Sequence, residues 1–379
     1  MKTIPANLKM KQYKRPLPPG TINPLFLLLI FLGTLSADNS SHKRSLKVVN
    51  INIWSGLDYK GIIKMGEFES REKIQKRYDL LIDRLKELDA DVITMQEVNP
   101  LPRRAKQFAK ELNMDVIYHV SEAGIQAGCI GIPVNLRQGD AIFSKKELNL
   151  EWVGRKRLTG GLAGNFFAFH FDDGAQVLAG KIQFDGVPIH IFTTHWHASV
   201  PDLKRYRDSA EGYGSKLGCS ADKIEEAKQT LTSEAEWRFT EAQGTVAYIQ
   251  EICGDSLPFI LTGDFNATTE MEEIHTLDSL KVIDSFLEFY NETEGITWDA
   301  EHNTNVIMQY PENTELHVNS IYNLLDYDFN RESYRIDYIY YHPGNSKLNA
   351  VSSSVILNSP QDGIFPSDHY GVQTEFNLK

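Results

Sequence analysis

The sequence predicts a layered α/β fold, on three observations. In "SLKVVNINIW" the residues alternate, with Val49, Ile51 and Ile53 on one face and Val48, Asn50, Asn52 and Trp54 on the other, the period of a strand. "REKIQKRYDLLIDRLKELDA" then sets Ile74, Tyr78, Leu81, Ile82, Leu85 and Leu88 at helical spacing, and "ADVITMQEV" returns as a buried strand. Strand, helix, strand opens a layered α/β domain. Further apolar strands recur to the C-terminus, and several of them close on a cluster of polar residues.

Those strands are predicted at 139–145 ("GDAIFSK"), 177–184 ("VLAGKIQF"), 187–195 ("VPIHIFTTH"), 257–266 ("LPFILTGDFN"), 334–342 ("YRIDYIYYH") and 370–378 ("YGVQTEFNL"). From Asp222 to Ile252 the chain reads as helix, with Trp237, Val246, Ile249 and Ile252 packing on a sheet and Gly244 weakening it locally. Residues 199–221, rich in charge and glycine, read as an insertion or long loop. There is no repeat and no low-complexity linker after residue 45, so residues 45–379 read as one continuous domain.

The N-terminus differs from this body. Lys2, Lys9, Lys11, Lys14 and Arg15 precede the apolar run "LFLLLIFL" at 25–32 and the small residues "GTLSA". This pattern makes residues 1–37 a signal peptide or an N-terminal membrane anchor, the run itself being shorter than the roughly 20 apolar residues of a comfortable span. Sequons at Asn39 and Asn291 suit a secretory route; a third, at Asn266, falls inside a motif described below and is expected to be inaccessible. Setting aside 1–37 takes the formal charge from −12 to −17, and so acidic a body lacks the basic footprint of a nucleic-acid binder. Three cysteines, Cys129, Cys219 and Cys253, allow one bridge and exclude a disulfide scaffold.

The polar clusters are Asn52, "QEV" with Glu97, "TTH" with His195, "GDFN" with Asp264 and Asn266, and "SDH" with Asp368 and His369. Singly each reads as a turn, a cap or a solvated end; together and in this order they mark a candidate site. "FTTHWHAS" adds His197, which alternation would put on the same strand face as His195, the arrangement of a metal pair. Against zinc, there is no His₃ or Cys set and the His-x-His-x-Asp-His pattern is absent, since Ser199 and Val200 follow.

This ordered set resembles the endonuclease/exonuclease/phosphatase superfamily over residues 45–379, with "GDFN", "RIDYI" and "SDH" as its most specific pieces. The resemblance implies a two-layer β-sandwich flanked by helices, the DNase I-like fold, that cuts phosphate esters with a divalent cation. "FTTHWHAS", "GDAIFSKKEL", "VLAGKIQF", "RFTEAQ" and "GITWD" resemble the neutral sphingomyelinase branch, from whose compact pattern the stretch between Val200 and Glu236 departs. It implies metal ligation by Glu97, supported by Asn52 and with Asp368 as a second ligand or electrostatic partner. Mg²⁺, with Mn²⁺ as the other candidate, suits these oxygen donors. His369 is implied as general base, oriented by Asp337; Asp264 and Asn266 would hold the water and a phosphoryl oxygen; His195 would donate to the phosphorane or leaving oxygen. Whether Asp264 or His369 takes the proton stays open. His197 is a family-specific neighbour contributing to substrate binding.

The function so implied is phospholipase C-type hydrolysis of sphingomyelin to ceramide and phosphocholine. A secreted DNase I-like endonuclease and another phospholipid or inositol-phosphate phosphoesterase are the alternatives. The expected partner is a phospholipid at a membrane surface, met by a monomer in the secretory lumen or outside the cell. "GIFP" at 363–366 is either a membrane-dipping loop or a packed turn.

Overall fold

Period-two strands with two apolar faces require a cover on each face, and this chain supplies it with two stacked sheets and an outer layer of helices. The computed structural model describes residues 44–378 apart from 62, 128–129, 160–169, 172–173 and 312–319. The signal or anchor segment, Asn39 and Cys129 therefore lie outside the described residues, which all belong to the second of two units, Lys43–Lys379. No described helix is long and apolar enough to cross a membrane.

In chain order the elements are β1 (Leu46–Asn52), α1 (Arg71–Leu88), β2 (Val92–Gln96), α2 (Arg103–Leu112), β3 (Met114–Ala127), β4 (Ile130–Lys145), β5 (Glu151–Arg157), β6 (His170–Phe171), β7 (Gln176–Phe184) and β8 (Val187–His195). There follow α3 (Lys204–Leu217), α4 (Ala221–Cys253), β9 (Phe259–Asp264), α5 (Glu272–His275), β10 (Ile283–Asp284), α6 (Thr304–Gln309), α7 (Ile321–Phe329), β11 (Asp337–His342), β12 (Leu348–Ile356) and β13 (Gly371–Leu378). One sheet has the order β12-β13-β1-β2-β4-β3-β6 and the other β10-β11-β9-β8-β7-β5. The pairs β1/β2 and β8/β9 are parallel at the centre of their sheets.

The alternation in β1 decides what faces what. Val49, Ile51 and Ile53 pack under α1 and α2 with Tyr78, Leu81 and Phe108, while Val48 joins Ile142, Leu178, Ile191, Ile260 and Val372 between the sheets. Asn50 and Asn52 share the inter-sheet face with Val48, so a strand that is apolar at its start delivers amides to the seam at its end. There Asn50 Nδ2 donates to Gly263 O across the sandwich, and Gln96 Nε2 links Asn50 Oδ1 with Thr193 Oγ1. Gly263 must be glycine, because a Cβ there would lie 2.3 Å from Thr194 O. That close approach of β8 and β9 sets His195 directly opposite Asp264.

One expectation is corrected and one open alternative is decided. Within 199–221, Lys204–Leu217 is a helix, α3, packed on α4 and α7 through Tyr206, Ala210, Leu231, Ile321 and Leu325. Its inward positions are Tyr206, Ala210 and Gly214, an aromatic and two small residues at spacing four, which lack the aliphatic stripe that marks a helix. And "GIFP" is a packed turn: Phe365 is buried and stacks on Tyr370 at 5.9 Å, so it offers no membrane-dipping aromatic. Cys219 and Cys253 are both free thiols.

One buried ion pair ties α1 to the strand ends. Arg77, fully buried, gives Nε to Glu69 Oε2 at 2.8 Å, Nη1 to Ile53 O at 2.8 Å and Pro366 O at 3.3 Å, and Nη2 to Trp54 O at 3.1 Å. It thereby joins the segment after β1 to the loop before Asp368. Arg77→Ala is expected to cost about 3–5 kcal/mol of unfolding free energy, because it leaves the buried Glu69 carboxylate with Lys73 alone and takes a donor from three carbonyls. Urea titration measures this, and a loss below about 1 kcal/mol would contradict the assigned role, being no more than an ordinary surface substitution costs.

Candidate active site

Strand ends β1, β2, β8 and β9 meet at one edge of the sandwich, and the local sequence locks β1 and β9 in the same way. Asn52 Oδ1 accepts from Trp54 N at 3.0 Å, and Asp264 Oδ1 accepts from Asn266 N at 3.0 Å. In each case a side chain at the strand end satisfies the amide two residues on and turns the chain. Trp54, Glu97 and Asn266 all adopt left-handed backbone (φ 55°, 56° and 46°). Such conformations cost about 1–3 kcal/mol each for non-glycine residues and persist where surrounding bonds over-determine them.

The centre is Asp264, buried at the base of the cleft. Its Oδ2 accepts from Asn52 Nδ2 at 3.0 Å and lies 3.4 Å from His195 Nε2 and 3.6 Å from His369 Nε2. His369 Nδ1 donates to Asp337 Oδ2 at 2.8 Å, which fixes the ring and leaves Nε2 toward Asp264. Asp337 is itself held opposite Asp264 by the β9/β11 register. The same Asn52 Nδ2 reaches Glu97 Oε1 at 3.1 Å, and Ser55 N donates to Glu97 Oε2 at 2.9 Å. Asp368 accepts from Gln309 Nε2 at 2.9 Å. Asn266 lines the cleft with Nδ2 bonded to Trp196 O at 2.9 Å, which leaves its sequon amide engaged.

His197 is placed differently from the expectation. The strand stops at His195, Trp196 turns inward to be buried against Phe265, and the two histidines do not share a strand face. His197 stacks flat on Trp237 at 4.3 Å and pairs through Nε2 with Glu234, while its amide donates to Glu241 at 2.6 Å. It lines the cleft wall and not the Asp264 centre.

Burial and charge pull the site's protons apart. Burial raises the Asp264 carboxyl, but the His369 charge, His195 and Asn52 outweigh it and bring it down to about 2. Burial lowers His195, but the Asp264 hydrogen bond and the charges of Asp264, Glu97 and Asp140 push it up to about 9. His369 is likewise lowered by burial and carried well above the ordinary imidazole range by Asp337, Asp264 and Asp368. Asp368 is pushed up to about 6 by burial and the neighbouring Glu97 charge, against the opposing pull of His369 and Gln309.

The carboxyls of Glu97, Asp264, Asp337 and Asp368 outnumber the two imidazoles set among them, and burial followed by the Glu97 charge raises the Asp368 carboxyl. The oxygens of Glu97 and Asp368 suit a hard divalent cation, whereas Asn52, expected as a ligand, turns Nδ2 toward Glu97 and has its Oδ1 bonded to Trp54 N, so it positions the carboxylate. Asp264, Asp337 and His369 also bring one ligand atom each within 4.8 Å of one another, a group that could hold a metal ion. Within that trio His369 and Asp337 share a 2.8 Å hydrogen bond.

The cleft above these groups encloses about 530 Å³. Its described lining includes Asp58, Glu97, Glu122, Glu241, Asp264, Asp326 and Asp368, and rings from Trp54, Tyr59, Phe68, Trp237, Trp298, Tyr310 and Tyr334, but neither lysine nor arginine.

The family model described as Endonuclease/Exonuclease/phosphatase family matches residues 49–369. The chain belongs to that family. No curated protein matches it. Among solved structures, the human Nocturnin catalytic domain with bound sulfate is 17% identical, with 89% of this chain and 94% of that one covered and a TM-score of 0.53. Truncated Caenorhabditis elegans TDP2 is 14% identical (88% and 98% covered, TM-score 0.51). A Bacteroides thetaiotaomicron endonuclease/exonuclease/phosphatase family protein is 16% identical (89% and 99% covered, TM-score 0.51). At these identities the likeness establishes the two-sheet fold of the family, which hydrolyses phosphate esters and typically uses a divalent metal.

Sequence reasoning missed several supporting groups. Asp140 is buried near His195, with Gln176 Nε2 donating to it at 2.8 Å and one carboxylate oxygen unpartnered. Its signal was visible in "GDAIF", a charge inside an apolar strand. Gln309 and Trp298 carried no such signal.

His195 yields a testable pH dependence in the metal-free protein. Its folded value near 9 exceeds the ordinary 6.5, so its stabilising contribution is complete below about pH 6.5 and lost as pH rises through 9. In EDTA, wild type minus His195→Gln unfolding free energy, from urea titrations, is expected to fall across that window. A flat difference would contradict the pairing with Asp264.

Proposed function

We propose that this chain is a Mg²⁺-dependent phosphodiesterase that hydrolyses sphingomyelin to ceramide and phosphocholine. The observation that carries this reading is the cleft, whose described lining is carboxylates and aromatic rings without lysine or arginine. Enzymes that grip a nucleic-acid backbone neutralise successive phosphates with such cations, so this cleft suits one phosphate bearing an apolar and a cationic substituent. The "FTTHWHAS" resemblance supports the same choice, and we place the enzyme at a phospholipid surface, as a monomer in the secretory lumen or outside the cell.

Mg²⁺, when bound, would supply phosphate charge neutralisation and polarise a phosphoryl oxygen, with Glu97 and Asp368 as the residues that would hold it and Asn52 positioning Glu97. The chain does the rest. Asp264 Oδ2 and His369 Nε2, 3.6 Å apart, form a pair between which an attacking water gives up its proton. Asp337 keeps His369 in the required orientation. His195 Nε2 donates to charge developing on the phosphorane or on the departing ceramide oxygen.

Phosphocholine release from sphingomyelin in detergent micelles at neutral pH is expected with Mg²⁺ and lost with EDTA. His369→Ala and Asp264→Asn should each lower kcat by about 10²–10⁴. Equal activity of these variants and wild type, or plasmid nicking that exceeds lipid turnover and vanishes in Glu97→Gln, would refute the proposal.

A further inference from the structure

One wall of the cleft carries chemistry that hydrolysis does not use. Trp298 stands edge-on to His369, ring centroids 5.1 Å apart, and Tyr310 stands edge-on to Trp298 at 6.2 Å. Next along this wall is Asp326 of α7, which lines the cleft with both rings. Its carboxylate accepts one side-chain hydrogen bond, from Asn330 Nδ2 at 3.0 Å, and no described lysine, arginine or histidine pairs with it. Burial raises this carboxyl; Asn330 opposes the rise and the Glu234 charge adds to it. Tyr310 is within electrostatic reach of both Asp326 and Asp368, so the wall runs unbroken from the catalytic carboxylates to Asp326.

We propose that Trp298, Tyr310 and Asp326 form the subsite for the quaternary ammonium of the substrate head group. The inference rests on the reading of the substrate as a choline phosphodiester. A quaternary ammonium has no N–H to donate, so it is recognised by ring faces and an unpaired carboxylate. A primary ammonium brings three donors, and Asp326, already bonded to Asn330, is the one charged acceptor among these three side chains, the ring faces supplying none. The position follows from the chemistry next to it: Trp298 borders His369, so a phosphate at the imidazole leaves its short alkyl tether and cation against Trp298, Tyr310 and Asp326. Elsewhere on the cleft, Trp237 has one face stacked on the His197 ring and Glu234 is bonded to His197 Nε2, so both already have partners.

The test uses the full chain with Asp326→Asn, which retains a carbonyl acceptor for Asn330, and Tyr310→Leu as a second variant. Tetramethylammonium binding by calorimetry is expected in wild type and should weaken about tenfold in each, the scale of a desolvated cation–π or charge contact. With Mg²⁺, KM for sphingomyelin should rise about tenfold in Asp326→Asn and in Tyr310→Leu, more than kcat changes, and in Tyr310→Leu the KM for ceramide phosphoethanolamine should stay within about twofold. Sphingomyelin turnover with KM and tetramethylammonium binding indifferent to Asp326→Asn would overturn the subsite and leave the activity standing. Variant-sensitive tetramethylammonium binding without sphingomyelin turnover would overturn the activity and uphold the subsite.

Discussion

A single amide holds the site together. Asn52 Nδ2 donates to Glu97 Oε1 at 3.1 Å and to Asp264 Oδ2 at 3.0 Å, joining carboxylates from the two sheets of the sandwich. An amide brings the two anions close and neutralises neither, so the arrangement depends on cations arriving from elsewhere. The protein supplies His195 and His369, both made more basic by the carboxylates around them. A divalent ion among the oxygen donors would complete the balance, leaving a substrate phosphate as the remaining anion. This constraint explains why an acidic cleft on an acidic protein can serve an anionic reaction centre.

Much of this was legible in the sequence, for a definite reason. Strand alternation sends Asn52 to the seam and the helix-facing residues away from it, and parallel strands end on the same edge, so polar residues closing β1, β2, β8 and β9 had to converge. What failed was what alternation cannot reach. His197 lies beyond the last strand residue, where Trp196 turns inward, so counting by two gave it a face it does not have. Helix α3 stayed hidden because its inward stripe is aromatic and small. The wall of Trp298, Tyr310 and Asp326 joins three segments without a shared motif, and only packing brings them side by side.

The division of labour follows from the same geometry. The sheets build the floor, whose residues are set by register and by Asx turns at strand ends. The walls come from α4, α6, α7 and the loops between strands, and α6 also braces the segment before His369, through Asn305 to Ser367 O and Gln309 to Asp368. A fold shared with proteins 14–17% identical says little about the substrate.

The central claim is that this floor directs water to the phosphorus of a choline phosphodiester. Hydrolysis of sphingomyelin in ¹⁸O-labelled water, with Mg²⁺ and mass analysis of both products, tests it most directly. The account predicts one labelled oxygen in phosphocholine and none in ceramide. Label in ceramide, or no turnover of sphingomyelin, would contradict it.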